Sequence, residues 1–95
     1  MTQTIAATLK LKGNDKKSTE KLSWKIDYKD HGYASMLLLE IYGQIVDRSK
    51  TSGATPENKL VVRLNSTSAT LKKLTKSWLI YTSSESGLGD LIEIA

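Results

Sequence analysis

Apolar and polar residues alternate from Thr4 to Lys12: Ile5, Ala7, Leu9 and Leu11 are separated by Ala6, Thr8 and Lys10. A period of two marks a strand with one buried face. Residues 21–29 repeat it, with Leu22, Trp24, Ile26 and Tyr28 set between Lys21, Ser23, Lys25, Asp27 and Lys29. The segment from Gly13 to Glu20 is polar and rich in turn formers. The two strands are therefore expected to pair as an antiparallel hairpin.

Asp30-His31-Gly32 breaks this pattern, and from Tyr33 to Lys50 the period changes. Met36, Leu37, Leu38, Leu39, Ile41, Tyr42, Ile45 and Val46 are apolar. On a helix they cover an arc of roughly 200°, with Glu40, Gln44 and Asp47 on the remaining side. So wide an arc needs a second cover besides a sheet, either another helix of this chain or another subunit. Gly43 inside the helix costs about 1 kcal/mol relative to alanine and predicts a close approach there.

Residues 51–58, with Gly53 and Pro56, read as a loop. Residues 59–64 read as a strand with Leu60, Val62 and Leu64 on one face and Lys59, Val61 and Arg63 on the other. Residues 65–68 offer N-caps for a second helix beginning near Ala69. Asn65-Ser66-Thr67 also has the form of a glycosylation acceptor, but is read here as part of that helix start. Leu71, Leu74, Trp78 and Tyr81 form one stripe of the second helix, with Lys72, Lys73 and Lys76 opposite. The run Trp78–Tyr81 is short enough to be a strand after a shorter helix. Residues 83–90 read as a loop and residues 91–94 as a final strand. The order β-β-α-β-α-β predicts a small α+β domain spanning 1–95, with a mostly antiparallel sheet and two helices packed on one face.

Composition narrows the chemistry. The 95 residues leave room for one core. The absence of cysteine excludes disulfides, thiolate metal sites and cysteine nucleophiles. With no basic stretch followed by an apolar run near Met1, and no apolar run longer than Met36–Leu39, the expectation is a cytoplasmic protein that does not enter a membrane.

Charge is segregated along the chain. Residues 1–29 hold seven lysines against three acids, residues 59–76 hold five basic residues and no acid, and residues 77–95 hold three acids and no base. If the hairpin buries its apolar side, its other face carries Lys10, Lys12, Lys21, Lys25 and Lys29, with Asp27 and Glu20 interrupting them. Lys59 and Arg63 join that face if the third strand lies in the same sheet, and the hairpin loop adds Lys16 and Lys17. Such a surface neutralises phosphates. It also serves simply as a solvated face that keeps edge strands apart. It carries no aromatic residue, so base stacking of single strands is not expected. Arg48 and Arg63 are the only arginines, which argues against extensive base reading.

The catalytic inventory is thin. Asp27, Asp30 and His31 sit at a strand-to-helix junction, but an aspartate there is explained by helix capping alone. Gly87-Leu88-Gly89 and Gly13-Asn14-Asp15 lack the rest of any phosphate-loop motif and read as turns. No metal or cofactor is expected. The sequence thus points to a small, basic, non-enzymatic binding module that contacts a duplex or structured RNA through lysines with little sequence specificity. The alternative is a protein-interaction module, an inhibitor or accessory subunit or a homodimer, using Leu38, Tyr42 and Ile45 of the first helix.

Overall fold

A computed structural model describes residues 2–13, 20–27 and 31–95. The elements are β1 (Thr2–Leu11), β2 (Glu20–Asp27), α1 (His31–Thr51), β3 (Leu60–Ser66), α2 (Ala69–Glu85) and β4 (Ile92–Ile94). The order is the expected one, and the class is α+β. The four strands form one sheet in the order β2-β1-β3-β4. β1 pairs antiparallel with β2, where Ile5 faces Trp24 and Ala7 faces Leu22. On its other edge β1 pairs antiparallel with β3, where Ala7 faces Leu64 and Leu9 faces Val62. β3 and β4 run parallel.

It follows that β2, β3 and β4 all point one way and β1 the other. α1 carries the chain from β2 to β3, and α2 from β3 to β4. Both connections join parallel strands, and both step in the same direction across the sheet. Crossovers of this kind are right-handed almost without exception, so two that step the same way deposit their helices on the same face. Burial agrees. Ile5, Ala7, Leu9 and Leu11 of β1, Trp24 of β2, Leu60, Val62 and Leu64 of β3 and Ile92 of β4 are buried with Ile41, Ile45 and Leu79 of the helices. The alternate strand positions look away from this core.

α1 turns Ile41, Ile45 and Ser49 into the core, while Leu38, Tyr42 and Val46 are half-buried. α2 covers the part of its wide apolar arc around Tyr42, while Leu39 is left exposed. Tyr42 and Trp78 meet edge-to-face with ring centroids 6.2 Å apart and planes at 89°. The close approach expected at Gly43 does not occur among the described residues. Gly43 is exposed, and an added Cβ would find nothing within 4 Å.

α2 is one helix through Trp78–Tyr81, not a shorter helix followed by a strand. Ser68 caps its start, its hydroxyl accepting from the Leu71 N–H at 3.2 Å. The glycines that end the helices do the same work at both. Gly87 (φ 74°) lets its own N–H reach the Ser84 carbonyl and the Leu88 N–H reach that of Ser83. Gly53 (φ 70°) repeats the pattern for α1, with Ala54 donating to Ser49. These are Schellman caps, whose left-handed residue is best supplied by glycine.

The rotation of α2 differs from the expected stripe. Its buried line is Thr75, Leu79 and Ser83, with Leu71 and Trp78 beside it. Leu74 and Tyr81 are exposed. The physical reason is size. Thr75 and Ser83 are small enough for the helix to seat against β3 and β4, which it contacts directly, while Trp78 fills the space beside Tyr42. Ser49 and Ser83 satisfy their hydroxyls by donating to the helix carbonyls of Val46 and Leu79.

Candidate functional site

With both helices on one side, the sheet's other face is open, and the strand register says what it carries. Thr4, Ala6, Thr8 and Lys10 of β1 lie between Lys21, Ser23 and Lys25 of β2 and Val61, Arg63 and Asn65 of β3. Thr8 stands directly between Lys21 and Arg63. Two strand spacings set those two cations about 10 Å apart at the backbone. Lys25, opposite Thr4, is about 13 Å from Lys21 along β2. No acidic residue stands opposite Lys21, Lys25 or Arg63 in this register. Among these ten open-face residues there is no aromatic side chain.

At one end of this face lies a shallow depression of about 190 Å³, lined by Thr8, Lys10, Lys12, Gly13, Val61 and Arg63, with Leu11 beneath. Three cations converge on it. Gly13 turns the chain out of β1 with φ 82°, and the Lys12 N–H bonds the Lys59 carbonyl at 2.8 Å. Among the described residues the acid close by is Glu93 of β4, opposite Val61. Its carboxylate lies 3.6 Å from the Lys12 ammonium, with both side chains largely in solvent. An ion pair so exposed is weak.

The structure brings together Lys10, Lys12, Lys21, Lys25 and Arg63. Lys59 adjoins them through its carbonyl, which accepts from the Lys12 N–H. It lines a larger groove of about 580 Å³ at the free edge of β4, in the company of Asp90 and Glu93. The parallel docking of β4 beside β3 moves these acids next to Lys59, which no local pattern indicates. Glu20 does not interrupt the cationic face. It stands opposite Leu9, on the helix side, where its carboxylate accepts from the Arg48 Nε at 2.7 Å. Lys16, Lys17 and Lys29 lie outside the described residues, as does Asp30. Asp27 and His31 enter only as the last residue of β2 and the first of α1.

The proposed interface residues of α1 are mostly taken up by the chain itself. Ile45 is 1% exposed in the core, so no partner reaches it, and this corrects its assignment to an interface. Tyr42 packs on Trp78, and Leu38 is half-buried. Among the described residues the large apolar side chains that face solvent are Leu39, Leu74, Ile80 and Tyr81.

Thr8, Glu93 and the Gly13 turn belong to the site but carry no motif. The period-two reading that sends Lys10 outward also sends Thr8 outward, and Ile92 and Ile94 flanking Glu93 give the same signal. Among the described residues no group of three or more potential metal ligands occurs, and no helix is long and apolar enough to cross a membrane. The chain matches no family model, no curated protein and no solved structure.

Proposed function

We propose that the open sheet face binds the phosphates of a nucleic-acid duplex or of structured RNA, with little sequence specificity and without catalysis. The observation that carries this reading is the depression lined by Lys10, Lys12 and Arg63, continued across Thr8 to Lys21 and Lys25. The floor between the cations is Thr4, Ala6, Thr8, Ser23 and Asn65, all short enough to let a phosphate backbone approach. Hydroxyls of Thr4, Thr8 and Ser23 add hydrogen bonds to phosphate oxygens but carry no sequence information. The absence of aromatic residues from these described positions favours backbone contact over base stacking. Arg63, the one arginine there, supplies a single bidentate fork.

The test is fluorescence anisotropy with a mixed-sequence DNA duplex and an RNA hairpin over a series of salt concentrations. Five cations each neutralising a phosphate give a slope of log affinity against log salt of about −4.5, so a fourfold rise in salt weakens binding about 500-fold. The variant Lys10→Gln/Lys12→Gln/Arg63→Gln is expected to reduce the slope to about −2. An unchanged slope in that variant, or no binding by the wild-type chain at low salt, would sink the reading.

A further inference from the structure

We propose that the free edge of β4 takes an extended peptide of another protein, which adds to the sheet as a further strand and presents an apolar–basic–apolar sequence to it. This is independent of the phosphate-binding reading, because it uses the strand edge and not the open face.

β4 stands at one end of the sheet and pairs with β3 on one side. Among the described residues no strand pairs with its other side. The register decides which main-chain groups of β4 are already used. The Leu60 N–H donates to the Leu91 carbonyl at 2.9 Å, and the Ala95 N–H donates to the Val62 carbonyl at 2.8 Å. Along a parallel strand, successive residues turn their N–H and carbonyl alternately towards one neighbour and away from it. Glu93, opposite Val61, is therefore the residue of β4 that turns both groups to β3. Ile92 and Ile94 turn theirs outward. The Ile92 N–H is taken by the Leu88 carbonyl at 3.1 Å. The Ile92 carbonyl, the Ile94 N–H and the Ile94 carbonyl remain along the edge, in the order acceptor, donor, acceptor. An extended backbone meets all three at once, which is the chemistry of strand addition.

The groove of about 580 Å³ along this edge says which side chains such a strand carries. On the helix side it is lined by Ile80, Ser83, Ser84 and Gly87 of α2 and its cap. Ile80 is 48% exposed, and Ile94 is half-buried. Residues opposite each other on adjacent strands share a face, so the peptide residues opposite Ile92 and Ile94 point towards Ile80 and are apolar. The residue between them points to the other face, beside Glu93. Asp90 and Glu93 line this groove against the single cation Lys59. The contact of Glu93 with Lys12 is exposed and weak. A lysine or arginine of the peptide is the complement. A second copy's β4 is a poorer match, since the antiparallel pairing that sets Ile92 against Ile94 also sets Glu93 against Glu93.

The experiment is an amide NMR titration of the isotope-labelled full chain with the capped heptapeptide Ser-Lys-Val-Lys-Val-Lys-Ser, carried to millimolar concentration. Shifts are expected over residues 80–95. The Ile94 amide is expected to gain protection from solvent exchange, while the Glu93 amide, already bonded to β3, changes little. Glutamine in place of the peptide lysines is expected to weaken binding about twofold to fivefold, and Glu93→Lys to remove that preference. Ile94→Pro deletes the outward donor at an edge position, where proline is tolerated. It is expected to weaken binding at least about tenfold, and Ile94→Val to retain it. No change at Ile94 with either peptide overturns the proposal, as do shifts centred on another surface or unaltered binding by Ile94→Pro. An Ile94 amide whose protection in the free chain rises with protein concentration gives the edge to a second copy and overturns it too.

Discussion

Thr75 is the least comfortable residue of the core. It is 0% exposed on the sheet side of α2, and its hydroxyl finds no hydrogen-bond partner among the described residues. Ser83, two turns later on the same line, donates to the carbonyl four residues back. A buried hydroxyl without a partner forfeits its hydration and recovers nothing, a cost of about 1–3 kcal/mol. Thr75→Val replaces the hydroxyl by a methyl of similar shape. Both residues are β-branched, so their helix propensities nearly cancel. The variant is therefore expected to be more stable by about 1–3 kcal/mol. For a domain of this length, the lower figure already raises Tm by about 4–8 °C. Thermal and urea denaturation followed by circular dichroism would measure it, at one fixed protein concentration so that association does not shift the midpoint. Thr75→Ser keeps the hydroxyl and removes the methyl, and is expected to destabilise. A Tm for Thr75→Val at or below wild type would refute the reasoning and mean that the hydroxyl is satisfied in solution.

Two further substitutions probe the frame that holds the open face. Ile45→Ala empties a side chain that is 1% exposed under the sheet and is expected to cost about 2–5 kcal/mol, read from the urea midpoint. Gly87→Ala forces a Cβ into the left-handed turn that ends α2 and is expected to lower stability by about 1 kcal/mol. Because a Cβ there meets nothing within 4 Å among the described residues, this loss is backbone strain, and an unchanged Tm would mean the turn adopts another conformation.

Much of the fold was legible because its strands obey simple alternation. Ile5 to Leu11 and Leu60 to Leu64 reveal both their existence and their inner face. α1 was legible from the width of its apolar arc, and α2 supplies a second cover for the part around Tyr42. α2 was not. Leu74 and Tyr81 complete a regular apolar stripe, whereas the side that packs contains Thr75 and Ser83, and polarity ranks those as surface residues. What decides the rotation is how closely the helix seats on β3 and β4, a property of size. In the candidate site, Lys10, Lys12, Lys21, Lys25 and Arg63 followed from parity once the strands shared a sheet. Glu20 could have been placed by the same rule, since it is in phase with Leu22 and Trp24. The acids beside Lys59 depend on where β4 docks, about thirty residues later in the chain, and no local pattern encodes them.

The place of β1 in the sheet has a kinetic consequence. Its partners on one side are close in sequence, so the hairpin with β2 closes a short loop. Its partners on the other side are distant: Leu11 pairs with Leu60, and Ile5 with Ser66. Closing so large a loop is entropically slower. Until β3 arrives, the inner edge of the hairpin is an unpaired strand with Ile5, Leu9 and Leu11 displayed, which is a template for another chain. During that interval Lys10, Lys12, Lys21 and Lys25 give every hairpin the same sign of charge and drive such chains apart. The lysines of the open face thus act as guards of the folding chain before there is a finished face for any ligand to meet.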